Sequence, residues 1–96
     1  MAEKIVVSRH SALVAYLLEQ GLVDESVNVF AHANEKIVHG KHVIGNIPLG
    51  MAAAAECVTV IPFANLPFEK RGTELSLEDV RYYAQPPRTY KVTEVK

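Results

Sequence analysis

Ile5-Val6-Val7 is an unbroken apolar run, and within four residues it gives way to a segment with helical spacing. A strand that reads apolar on both sides, rather than alternating, suits the middle of a parallel sheet covered on both faces. Residues 3–8 are therefore predicted as a first strand. In "SALVAYLLEQ", residues 11–20, Leu13, Tyr16, Leu17 and Gln20 share one helical face, and Gly21 supplies a natural stop. The switch from strand to helix repeats along the chain. "SVNVFAH", residues 26–32, alternates as a second strand, and "ANEKIVHG", residues 33–40, reads as a polar connection. "KHVIG", residues 41–45, is a third short strand. Pro48 opens a second helix over about 48–56, because proline is favoured in the first helical turn. "CVTVIPFA", residues 57–64, is a fourth strand with Pro62 as an interruption. Ser76 and Asp79 have the spacing of a capping box, so a third helix is predicted over 77–84 and ends before Pro86-Pro87. The β-branched tail "RTYKVTEV" is predicted to add an edge strand, or else to remain a tail, over 85–96.

Strands that alternate with helices imply an α/β fold with a mainly parallel sheet of four to five strands and flanking helices, one domain over 1–96. A chain of this length buries only roughly 60–65% of its surface, so a dimer would add stability. Charged residues make up 22% of the chain and the formal net charge is −1. Such a balance gives no global attraction to duplex nucleic acid or to a membrane surface, and any polyanion site must be local. Cys57 is the single cysteine. That excludes an internal disulfide and a cysteine cluster for zinc, and its apolar neighbours mark it as a small buried hydrophobe. Glu3 and Lys4 interrupt any leader-like apolar segment, and no run reaches the roughly 20 residues of a membrane span. A cytoplasmic location is the expectation.

In open α/β sheets ligands bind beyond the carboxyl ends of the strands. Three segments are predicted to meet there: Ser8-Arg9-His10, Gly45-Asn46-Ile47-Pro48 and Glu69-Lys70-Arg71-Gly72. Arginine offers a fork of donors matched to phosphate, and histidine can exchange protons near neutrality. Gly45 lets backbone approach closely, and Asn46 can donate an amide to an oxygen ligand. The bland alternatives are an imidazole that caps the helix, a surface ion pair for Arg9 and an ordinary strand-to-helix turn at Gly45. His32 ends the second strand and faces either the rim or the structural interior. His39 and His42 have H-x-x-H spacing at a strand start with no accompanying carboxylate motif, so no metal site is expected. There is no P-loop, no full G-x-G-x-x-G and no H-E-x-x-H, and no cofactor is implied.

Taken in order, "VVSRH", "AH", "GKHVIGNIPLGMAAAAE" and "LP-x-x-x-RGTELS" resemble a small family of CRISPR-associated accessory proteins found with type III systems, over roughly residues 4–84. The resemblance implies a small Rossmann-like (CARF-related) fold, akin to sensor domains that bind cyclic oligoadenylates. It also implies a ring nuclease, which cuts that second messenger and ends the antiviral signal. Cyclic tetra-adenylate would be the favoured ligand, held across the axis of a homodimer. On this reading Ser8, Arg9 and His10 carry catalysis without a metal, and Gly45, Asn46, Ile47, Pro48, Arg71 and His32 bind ligand. A sponge that holds the same ligand uncut, and an unrelated α/β interaction domain, are the alternatives the sequence leaves open.

Overall fold

A computed structural model of the chain describes residues 2–72 and 74–96; Met1 and Thr73, the latter inside the R-G-T-E-L-S segment, lie outside the described residues. Five strands form one sheet: β1 (Lys4–Val7), β2 (Asn28–Phe30), β3 (His42–Gly45), β4 (Cys57–Val60) and β5 (Arg88–Tyr90). Their spatial order is β2-β1-β3-β4-β5. The first four run parallel, and β5 joins the β4 edge antiparallel, with Thr59 opposite Thr89. Among the described residues the α-helices are α1 (Ser11–Glu19), α2 (Glu35–Val38), α3 (Leu49–Ala54) and α4 (Leu77–Tyr83), with a short 3₁₀ turn at Phe68–Lys70. The expected small Rossmann-like α/β architecture is present, and the predicted C-terminal edge strand forms.

The unbroken apolar run of β1 is explained by what lies on each side of it. Ile5 and Val7 join Val38 of α2, Val43, Ala52 of α3, Ala55 and Val58 in one core cluster. Val6 faces the other way and joins Leu17 of α1, Val23 and Ile44 in a second. Both faces of the strand are thus closed by helices, the condition under which alternation disappears. Leu17 and Val38 have no exposed surface. Truncating such a leucine to alanine costs about 2–5 kcal/mol.

Local chemistry sets the helix ends. Gly21 follows α1 at φ 71°, the left-handed region, and Leu22 N–H reaches back to Leu17 O at 3.0 Å while Gly21 N–H reaches Leu18 O at 3.1 Å. This pair of bonds is a Schellman stop. Ser76 accepts from Asp79 N–H at 3.1 Å, and Asp79 accepts from Ser76 N–H at 3.3 Å, so the predicted capping box exists.

Several boundaries differ from the sequence reading, and the tail strand expected within 85–96 is only Arg88–Tyr90. Residues 33–40 are not wholly a connection, because Asn34 caps the short helix α2 by accepting from Ile37 N–H at 2.9 Å. β2 is three residues, not seven: Asp24 holds Ser26 in a turn, and Val27 N–H bonds Asp24 O. Pro48 occupies the N-cap position in extended backbone, and α3 begins at Leu49. β4 stops at Val60, ahead of Pro62, which has no N–H to give to a ladder. The strand direction is resumed only at an isolated antiparallel bridge between Phe63 and Ala84.

Candidate functional site

The strand order reverses between β1 and β3: from β1 the chain moves outward to β2, then returns past β1 to β3. The loops leaving the carboxyl ends of β1 and β3 diverge to opposite faces and leave a crevice, the usual ligand position in such sheets. A cavity of about 720 Å³ occupies this place, lined among others by Ser8, Arg9, His10, Gly45 and Asn46. Two of the three segments expected at the rim therefore meet.

The Ser8-Arg9-His10 turn is internally tied. Ser8 N–H bonds Phe30 O at 2.9 Å, and Ser8 Oγ accepts from His10 N–H at 3.1 Å. Ser8 thus shapes the turn that leads β1 into α1. His10 holds the N-cap position of α1, and its carbonyl accepts from Leu13 and Val14 N–H. Its imidazole makes no capping bond and is exposed at the cavity. The helix-cap role considered for the His10 side chain is absent, and the ring is available to a ligand. Arg9 is exposed and, among the described residues, has no ion pair. No acidic residue stands in the first turn of α1 to offset the partial positive charge of its start.

Gly45 is buried opposite Val7 in the β1–β3 ladder, at φ 143°. A Cβ placed there would lie 2.1 Å from Val7 O. Its close approach is to the neighbouring strand, which brings Asn46 beside the β1 turn. Asn46 is exposed in the cavity lining and does not cap α3.

The remaining predicted residues stand elsewhere. Ile47 packs against the α2–α3 core cluster, and Pro48 serves as the N-cap residue of α3. His32 is exposed in a bend beyond β2, and Arg71 is exposed after the 3₁₀ turn Phe68–Lys70. Neither is among the described residues lining the crevice. Sequence reasoning missed Ile61, Pro62 and Phe63, which do line it. The signal was available: the apolar run of the fourth strand ends at Pro62, so the residues around it belong at the same rim as Ser8 and Asn46.

A second groove, about 630 Å³, adjoins the first and shares Arg9, His10, Leu13 and Phe63 with it. A third, about 740 Å³, lies at the opposite, amino-terminal ends of β1 and β2. Its charges are already spent on neighbours. Lys4 Nζ bonds Leu22 O at 3.2 Å, and Glu3, which also lines it, pairs with Lys41 at 3.0 Å. Lys41 holds the Glu3 carboxyl below the usual carboxylate range, and the Ser26 hydroxyl does the same for Asp24. Among the described residues that groove's charged groups, Glu3, Lys4 and Asp24, all have hydrogen-bonding partners within the chain.

His42 is also committed. Its Nε2 lies 2.6 Å from Thr59 Oγ1, which lies 2.7 Å from Thr89 Oγ1, a polar chain across β3, β4 and β5. Burial, with Lys4 nearby, pushes the His42 pKa below its ordinary value. Among the described residues no group of three or more histidine, cysteine or acidic side chains is drawn together around a common point, and no helix is long and apolar enough to cross a membrane.

Comparison with curated proteins and with solved structures gives no match. A family model does match, over residues 5–93, and this span takes in the described sheet and helices, save Lys4 at the start of β1, and both grooves at the rim. The chain belongs to the family described as "Putative CRISPR-associated protein (Cas_VVA1548)".

Proposed function

We propose that the chain is a ring nuclease of type III CRISPR defence: it binds a cyclic oligoadenylate, cyclic tetra-adenylate as the favoured ring, and cuts it. The observation that carries this reading is the meeting of Arg9, His10 and Asn46 in one crevice at the point where the strand order reverses. Arg9, without an ion pair among the described residues, stands beside an exposed imidazole in a protein of net charge −1, which suits a local rather than a global attraction for a phosphodiester.

The reaction is an internal transfer. The ribose 2′-oxygen attacks the adjacent phosphorus and gives up its proton, the P–O5′ bond breaks, and the 5′-oxygen takes a proton. The products are a 2′,3′-cyclic phosphate and a free 5′-hydroxyl. Alignment of the 2′-oxygen, phosphorus and 5′-oxygen supplies much of the acceleration. Arg9 holds the phosphate through charge-assisted hydrogen bonds and offsets the charge that builds on its oxygens. Asn46 donates a neutral amide to the same group. His10 transfers a proton, and Ser8 fixes the turn that positions both neighbours. A cyclic tetranucleotide presents repeated copies of the same linkage, so a two-fold dimer with one crevice from each subunit suits it.

Single-turnover reaction of labelled cyclic tetra-adenylate, with EDTA present throughout, tests the reading. Wild type yields linear products that end in a 2′,3′-cyclic phosphate. His10→Ala slows the reaction roughly 10²-fold or more and changes binding little. Wild-type binding with no cutting makes the protein a sponge and removes the nuclease assignment. No binding across a panel of ring sizes removes the ligand as well. Light scattering of the complex separately checks the dimer, and a strict monomer with one ligand per chain refutes it.

A further inference from the structure

The crevice explains where a phosphate would sit and leaves the second groove without a role. Its lining is mostly apolar: Ala12 and Leu13 from α1, Phe63 and Leu66 from the loop after β4, Leu75 from the segment before α4 and Val80 from α4 itself. Its polar groups do not favour a second phosphate. Lys70 is held by Asp79 at 2.9 Å, and Glu74 adds a carboxylate to the wall. Arg9 and His10 stand on the side shared with the crevice.

Phe63 forms part of both grooves. Phe63 is 37% exposed, so part of its ring surface is open. Its backbone is fixed on both sides. Ala64 N–H bonds Tyr83 O at 3.1 Å, Gln85 N–H bonds Pro62 O at 2.7 Å, and Phe63 bridges Ala84 directly. An aromatic ring with a partly open surface and a pinned main chain is a preorganised stacking platform.

We infer that the second groove is a nucleobase pocket, with Phe63 as its stacking platform, and that it takes the base next to the phosphate held by Arg9 and His10. A nucleotide carries its base one sugar away from its phosphate, and the two grooves share a wall. The groove's volume lies in the range of small-molecule sites. The base would supply affinity and register. It would fix which phosphodiester faces His10. The inference rests on the nucleotide ligand proposed above, but its test separates the two.

The probes are AMP and ribose 5-phosphate, which differ by the base alone, titrated to millimolar concentration into isotope-labelled protein and followed by NMR shifts. Wild type should bind AMP more tightly by roughly fivefold to 150-fold, the range of one base–aromatic stack. Phe63→Leu keeps an apolar side chain in the rim and should lose most of that gap, whereas Phe63→Tyr should keep it. Equal affinity of wild type for the two probes, no shifts with either, or a gap that survives Phe63→Leu overturns the pocket. Cutting of cyclic tetra-adenylate is scored in parallel. Wild type that cuts the ring but shows no AMP preference sinks the base pocket alone. Wild type that prefers AMP but neither binds nor cuts the ring sinks the ring-nuclease reading alone.

Discussion

Replacing Gly45 with alanine should be among the most damaging single-methyl changes available to this protein. Gly45 closes the β1–β3 ladder opposite Val7, and an added Cβ would sit 2.1 Å from Val7 O and 3.1 Å from the Val7 carbonyl carbon. Both are backbone atoms of a central strand, so no side chain can rotate to make room. Two costs combine. Backbone at φ 143° is disfavoured for a residue with a Cβ, by about 1–3 kcal/mol. Forcing an extra methyl into a packed contact costs a further ~1–3 kcal/mol. The sum, about 2–6 kcal/mol, is a large share of the 5–15 kcal/mol typical of a whole domain. With a urea dependence of about 1–1.5 kcal/mol per molar, the midpoint should fall by about 1.3 M or more. Gly50 is the internal control, since a Cβ there meets nothing within 4 Å on an exposed turn of α3. Gly50→Ala should raise stability by about 0.5–1 kcal/mol. Urea unfolding followed by circular dichroism measures both. If Gly45→Ala unfolds within about 0.3 M of wild type, or if Gly50→Ala is equally damaging, the steric argument fails.

Further outcomes follow from the same contacts. Ser76→Ala removes one half of the α4 capping box and should cost about 1 kcal/mol in the same unfolding assay, with no effect on ligand affinity measured in folded protein. Burial holds the His42 pKa below its ordinary value, so on acidification the unfolded chain takes up the proton first. The stability due to neutral His42 is present above the ordinary histidine pKa and is lost as pH falls below it toward the folded value. Unfolding between pH 7.5 and 5.5 should show this loss, and His42→Gln should reduce it; parallel curves for the two proteins would contradict the assignment. Glu3, Glu19, Asp24 and Asp79, all held low by hydrogen-bonding partners, should act only at lower pH, in the carboxylate range. At the site, Arg9→Ala should weaken binding of cyclic tetra-adenylate more than Asn46→Ala, because a charge-assisted bond is roughly twice as strong as a neutral one. Calorimetric titration of the two variants decides it, and unchanged affinity in Arg9→Ala would give Arg9 a structural role.

The centre of the sheet was legible because β1 and β3 are buried on both faces, and that condition writes itself as unbroken apolar runs there. The edge at β2 was harder to bound. Val27 and Ala31 continue the alternation of Val29, but Asp24 draws Ser26 into a turn that the pattern does not register. The helix α2 was hidden for another reason. Four residues cannot display a helical period, and its evidence is one cap, Asn34, with Val38 buried behind it. At the site, Ser8, Arg9, His10, Gly45 and Asn46 could be placed because they directly follow or end strands. Arg71 could not, because a loop sets its position and the 3₁₀ turn that carries it leaves no periodic trace. Phe63 was overlooked because an aromatic within a strand-like run reads as core; the break at Pro62 was the sequence sign that it reaches the rim, and the paired main chain around Pro62 and Gln85 holds it there.

The charge distribution links these points to the proposed chemistry. Lys41, Lys70, Arg81 and Lys91 each pair with an acidic residue, and the acids Glu3, Asp79, Glu19 and Glu56 are in turn used up. Exposed pairs of this kind add little stability. Their effect on the electrostatic surface is larger, because each pair cancels a patch that would otherwise attract ions of one sign. Arg9 has no such partner among the described residues, and it stands where the backbone of the α1 start adds partial positive charge rather than negative. Lys4, Lys36, Arg71, Arg88 and Lys96 also lack an ion pair among the described residues, so what sets Arg9 apart is its place at the α1 start beside His10 and Asn46. Mutating a paired cation such as Lys41 should leave ligand binding unchanged at every salt concentration, whereas Arg9→Ala should remove part of its salt dependence. Titrations from low to high salt would show this contrast. Equal slopes for wild type and Arg9→Ala would mean that the attraction is spread over the surface, and the localised phosphate site would have to be abandoned.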